Sequence, residues 1–187
     1  MKIDFHKLID DIKYTDSKTS YMISYPFFIK YFKNIEKIKV DNLIVGTHFV
    51  YGWMPTVLNL NVTELKDVLS ILNEAKKGFI LNEDELLKLK KCINNSLVGT
   101  SKLLHFINPD KYAIWDSNIY RYIFGNYSLV RIEKPVLYLS YLKELEKISK
   151  QKDFKDFYSK VKNIVGYNIT KIRAIELVMF SASKFNK

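Results

Sequence analysis

The chain has 187 residues, 48% of them hydrophobic and 14% aromatic, and carries a net charge of +10 from 30 basic and 20 acidic side chains. That length suits one domain with a sizeable core, and so many aromatics exclude a disordered chain. The single Cys92 excludes an internal disulfide and a cysteine-built zinc site, and no apolar run approaches the roughly 20 residues that cross a bilayer.

In chain order, "MKIDFHKLIDDIKY" alternates charged and apolar residues and does not read as a secretory signal; it places Phe5, Leu8, Ile9 and Ile12 on one helical face. "SYPFFIKYFKNI" gives a second, aromatic segment from Pro26 to Ile35. "DNLIVGTHFVYGWM" is apolar nearly all round and reads as a buried helix ended by Pro55. "TELKDVLSILNEAKKG" is expected to start at a Thr63 cap and stop at Gly78. "NEDELLKLKKCI" opens with Asn82 and Glu85 in capping-box spacing. "KPVLYLSYLKELEKI" carries Pro135 in its first turn. "DFKDFYSKVKNIV" and "TKIRAIELVMFSAS" close the chain, with Arg173 and Glu176 one turn apart and able to pair. The expected fold is all-α: a compact globule of about eight to ten helices in one domain over residues 1–187, with two lobes and a cleft between them left open.

The positive charge favours a polyanionic partner, with nucleic acid the leading case. Only Arg121, Arg131 and Arg173 are arginines, and the chain is also rich in Asn, Ile and Tyr. AT-rich coding favours that composition, so the charge is supporting evidence. No phosphate-binding glycine loop or dinucleotide motif is present, and His6, His48 and His105 have no metal-ligand spacing. The expectation is a cytoplasmic protein with no cofactor, no metal and no membrane partner.

Two constellations could carry chemistry. In "NNSLVGTSKLLHFINPDKYAIWDSNIYRYIFG", Asn94 to Gly125, a tight turn at Val98-Gly99-Thr100 is expected to feed a short helix from Ser101 to Ile107. "NPDKY" is a turn, "AIW" a short extended approach, and Asp116 starts the next helix, which bears Asn118 and Arg121. Asp116 is a good N-cap on local grounds. In "THFVYGWMPT", Tyr51 and Trp53 flank Gly52, with His48 one turn earlier. A flat ring beside a residue without a side chain can stack a base, and the same pattern also suits an aromatic cluster at a helix end.

The first constellation resembles the DNA glycosylase superfamily built on a helix-hairpin-helix followed by a catalytic aspartate. The matching features are Gly99, the helix from Ser101 to Ile107, Asp116 and Arg121, within about 30 residues. The resemblance implies that backbone N–H groups around Gly99, Thr100 and Ser101, with Lys102, grip a DNA phosphate. It further implies that Asp116, beside Trp115, stabilises the sugar cation formed as a flipped base departs. The segment departs from the family pattern in having one hairpin glycine, "WDSN" around the acid, and a shorter intervening helix. Ser101 stands where strand-cutting members carry a lysine, so a monofunctional enzyme is expected. The alternative is a non-catalytic binder of a purine nucleotide or nucleic acid on the same fold. A third reading is a helical interaction protein in which Asp116 only caps.

Overall fold

The computed structural model describes residues 1–16, 18–54 and 56–185; the expected helix end at Pro55 falls outside them. The described residues form eleven α-helices and a short 3-10 turn, and the only β pairing among them is one isolated bridge, Leu60 to Ile93. The helices are α1 (Phe5–Asp11), α2 (Ser20–Lys33), α3 (Val40–Gly52), α4 (Leu65–Lys77), α5 (Glu83–Cys92), α6 (Leu97–Ile107), α7 (Ser117–Phe124), α8 (Leu129–Ile132), α9 (Pro135–Ile148), α10 (Phe154–Val165) and α11 (Lys171–Phe185). The 3-10 turn, Ile12–Tyr14, follows α1 directly. The all-helical expectation holds.

Local chemistry sets most boundaries. Asn82 and Glu85 form the reciprocal capping box that opens α5. Pro135 sits in the first turn of α9, where its missing N–H costs nothing. Gly78 ends α4 at φ 101, a left-handed conformation that glycine adopts without strain. At the start of α4 the cap position belongs to Glu64; the Thr63 hydroxyl bonds Asn61 instead. Pro26 lies inside α2 and cannot donate to the carbonyl of Met22, four residues earlier. The Tyr167 hydroxyl takes that acceptor at 3.0 Å, so the helix runs through the proline with its freed carbonyl satisfied.

Packing falls into two groups. α6 packs against α2, α3, α4 and α5, while α11 packs against α7, α1, α9 and α10. Every residue of α11 from Ile172 to Met179 is buried. Leu8, Leu72, Leu86, Leu104, Leu145 and Ile175 are fully enclosed, each contributing about 1.5–3 kcal/mol relative to exposure. α3 departs from its all-round apolar expectation: it buries Leu43, Val50 and Tyr51 against the core and leaves Val40, Ile44 and Val45 exposed.

Candidate functional site

A cleft of about 600 Å³ draws its lining from both helix groups. The first group contributes Tyr21 and Met22 from α2, Trp53 and Met54 at the end of α3, and Val98 and Lys102 from α6; the second contributes Asp116 to Asn118 and the α11 face from Arg173 to Phe185. Trp53 is half-buried and points its Nε1–H at Ser24 Oγ, 3.1 Å away. Tyr21 meets it edge-on with ring centroids 5.4 Å apart. Tyr14 and Phe185 form a second aromatic pair at the cleft, 4.5 Å between centroids. The walls are therefore flat and apolar, while the charged side chains Lys102, Asp116, Arg173 and Glu176 all line the same space.

Asp116 is the N-cap of α7. Its Oδ1 accepts from the N–H groups of Asn118 at 2.9 Å and Ile119 at 3.1 Å. Both cap bonds fall on this one oxygen. Asp116 is 8% exposed and lines the cleft, and Oδ2 takes part in neither bond. One carboxylate oxygen thus anchors the helix, and the other is not used in the cap.

Arg173 and Glu176 read in sequence as an ordinary one-turn pair. They are in fact buried, 4% and 1% exposed, and bonded Nη1 to Oε2 at the edge of the cleft. Burial pushes the Glu176 carboxyl up to about 7, against the pull of Arg173, and Asp116 adds to the rise. For Arg173, burial opposes the charge, and Glu176 and Tyr25 outweigh it, so the guanidinium is held more firmly protonated. The Arg173 guanidinium lies 4.5 Å from the Tyr25 ring centre. The Tyr25 hydroxyl bonds His105 Nε2 at 2.8 Å, and His105 Nδ1 bonds the Tyr112 carbonyl at 2.7 Å. A carbonyl only accepts, so Nδ1 carries the proton and Nε2 accepts from Tyr25. A connected polar chain therefore runs from the core at Tyr112 to Glu176 at the cleft. The one signal for it in sequence is a lone acid inside the apolar run "AIELVMF".

Lys102 reads in sequence as a phosphate contact or a solvated lysine; the fold turns it into the cleft. Burial lowers the pKa of its ammonium, with Asp116 and Glu176 acting the other way. Its neighbour Ser101 is fully buried, and the Ser101 hydroxyl bonds the Trp115 N–H at 3.0 Å and the Trp115 carbonyl at 3.2 Å.

Several expected contacts stand elsewhere. The open turn at Val98-Gly99-Thr100 does not form, because α6 already begins at Leu97, capped by Ser96. The turn lies at Asn94 and Asn95, with φ of 51° and 50°. Gly99 is packed so closely that an added Cβ would lie 2.4 Å from Tyr51 Oη, and Thr100 is fully buried with its hydroxyl on the Ser96 carbonyl. The Leu97 N–H donates to Glu133 Oε2 at 2.7 Å, so a carboxylate already occupies this helix start. Tyr51 is buried behind Gly99, which leaves Trp53 alone as the flat ring of its segment at the cleft. Trp115 is 0% exposed, with its indole N–H on the Ile132 carbonyl at 2.8 Å and its ring against Tyr141. His48 is exposed and bonds the Ile44 carbonyl of its own helix. Asn118 lines the cleft; Arg121 stands beside it, donating to Asn118 Oδ1 at 3.3 Å with its guanidinium 5.2 Å from the ring centre of Tyr127, another lining residue.

Comparisons with protein-family models, with curated proteins and with solved structures return no match to this chain.

Proposed function

We propose that the cleft receives a nucleobase with its attached sugar, and that the protein cleaves the N-glycosidic bond of a modified base, in the manner of a monofunctional DNA glycosylase. The observation that carries this reading is the meeting of Asp116 and Trp53 in one cleft, with Oδ1 of Asp116 committed to the cap. The volume of about 600 Å³ suits a nucleoside-sized ligand. Trp53 and Tyr21 supply a flat apolar surface on which a base can stack. As the bond from C1′ to the base nitrogen lengthens, positive charge grows on the sugar. The Asp116 carboxylate is itself largely buried and held in place by its cap bonds, and a preorganised anion of this kind stabilises developing positive charge strongly. The basic surface charge supports nucleic acid as the carrier of the base.

A second reading has its own support in Lys102. Burial moves this side chain toward the neutral amine, which can attack C1′, displace the base and form an imine with the opened sugar. Strand cleavage would then accompany base release.

A panel of duplexes, each with one damaged or modified base, tests both. Asp116-assisted hydrolysis leaves an abasic site, an intact backbone and no borohydride-trappable adduct. A trapped covalent adduct that disappears in Lys102→Ala supports the amine. Specific binding without base release from any duplex favours a non-catalytic nucleotide or nucleic-acid binder.

A further inference from the structure

A base that is neutral in the nucleoside needs a proton to depart as a neutral molecule, whereas one already cationic does not, and Asp116 is occupied with the sugar. We propose that Glu176 is the proton donor to the leaving base, a second catalytic carboxyl supplied by α11; this rests on the base-releasing reading of Asp116.

Arg173 and Glu176 are both almost wholly buried and bonded to each other. Well-packed apolar residues in place of a buried ion pair are often as stable or more so. Stability is therefore a poor reason for a carboxyl inside the apolar stretch from Ala174 to Met179. The pair lies on the lining of the cleft, in the same space as Asp116 and Lys102. Two carboxyls of one site in different surroundings are the usual arrangement for dividing acid work from charge stabilisation. Asp116 is tied to two backbone N–H groups at a helix start, which suits an anion. Among the described residues no backbone N–H bonds the Glu176 carboxyl, and burial drives it toward the protonated form, to about 7.

The groups acting on Glu176 come from each element around it. Arg173 on its own helix and Lys102 on α6 favour the carboxylate, whereas Asp116 favours the acid. Tyr25 on α2, Tyr138 and Tyr141 on α9, and Tyr167 before α11 also sense its charge. Burial raises all of these phenols, so they stay neutral while Glu176 titrates. Arg173 cannot give up its proton, so its part is to hold Glu176 in place.

The step balances. The Glu176 O–H gives its proton to a ring nitrogen or carbonyl oxygen of the base while the bond to C1′ breaks and its electron pair stays with the base. The sugar is left as an oxocarbenium ion facing Asp116. Water adds to C1′, and the proton it sheds returns to the Glu176 carboxylate. Base-bearing sugar and water enter; free base and abasic sugar leave.

The test measures single-turnover base release between about pH 5 and 9 on duplexes carrying uracil or hypoxanthine, whose bases are uncharged before the bond breaks and so need a proton to leave neutral. A duplex carrying N7-methylguanine, whose base is already cationic, is the control. The parent rate on the neutral base should fall about tenfold per pH unit above roughly 7, and this limb should be absent on N7-methylguanine. Glu176→Gln keeps the hydrogen bond to Arg173 but has no proton to give. It should lose about a hundredfold or more on the neutral base, show no alkaline limb, and stay within a few-fold of the parent on N7-methylguanine. A parent profile that is flat or rises with pH overturns the proposal, as does a variant that matches the parent on neutral bases or loses both substrates equally. The parent's two profiles decide the matter even if the variant does not fold. A parent with a flat profile removes Glu176 alone; a parent that releases no base from any duplex removes the base-releasing reading with it.

Discussion

At His105 both ring nitrogens are committed, Nδ1–H to the Tyr112 carbonyl and Nε2 to the Tyr25 hydroxyl, and burial holds the imidazole neutral down to about 3, with Arg173 adding to the effect. The unfolded chain takes up this proton near pH 6.5, so between about 6.5 and 3 the unfolded state binds more protons and stability falls as pH falls, by on the order of 5 kcal/mol over the whole window. Glu176 acts in the opposite sense. Its carboxyl is raised from 4.5 to about 7, so between those values the folded state binds more protons and stability falls as pH rises. The two slopes oppose each other between about 4.5 and 6.5, and below that the His105 slope stands alone. His105→Asn, which has no proton to take up, should be less stable than the parent at neutral pH and should show a flatter loss on acidification to about pH 3.5. Denaturant unfolding at several pH values checks this; an unchanged acid slope in the variant would exonerate His105. At this scale the sequence is informative where chemistry is local. Asp116 as a cap is legible because capping depends on its immediate neighbours. Whether Ser101 or Lys102 faces the cleft is not, because one residue turns a helix by about 100° and only the packing of α6 fixes the zero.

Among the elements, the hairpin joining α5 to α6 shows how a glycine can mislead. Gly99 draws attention as the turn, yet it lies inside α6, where the close approach of Tyr51 requires its missing side chain. The turn is built by Asn94 and Asn95, which tolerate left-handed backbone, followed by the Ser96 cap. That signal, "NNS", is present in the sequence and purely local. The role of Glu133 is not, since it comes from 36 residues away to accept the Leu97 N–H while also pairing with Lys90 at 3.1 Å. Glu133→Ala would leave that N–H without its acceptor and take the carboxylate from Lys90, whose ammonium keeps only the residue-133 carbonyl, 3.2 Å away. The expected loss is about 1–3 kcal/mol, read as a lower denaturant midpoint with an unchanged slope. A midpoint equal to the parent's would mean that solvent replaces the carboxylate without penalty. The boundaries of α4, α5 and α9 were legible to within a residue or two because Gly78, the Asn82 box and Pro135 act where they stand.

For the whole molecule, helical periodicity makes the fold class readable, because each amphipathic segment repeats its apolar residues at the spacing of one helix face. The cleft is not readable in that way. Its lining brings together residues as distant as Tyr14 and Phe185, and the charged set of Lys102, Asp116, Arg173 and Glu176 spans three segments. The same packing removes Trp115 from the site, because in composition a buried tryptophan and a stacking one look alike. Asp116 is proposed to do chemistry in this cleft as well as capping α7. Asp116→Asn separates the two roles, since Asn caps a helix about as well as Asp but brings no charge to a developing sugar cation. The measurement is single-turnover base release by parent and variant on whichever duplex of the panel the parent cleaves best, with thermal unfolding and duplex binding measured alongside. An unfolding midpoint and duplex affinity close to the parent's, with release slower by about a hundredfold or more, are the predicted results. Equal release by parent and variant would contradict the claim and leave Asp116 as a helix cap.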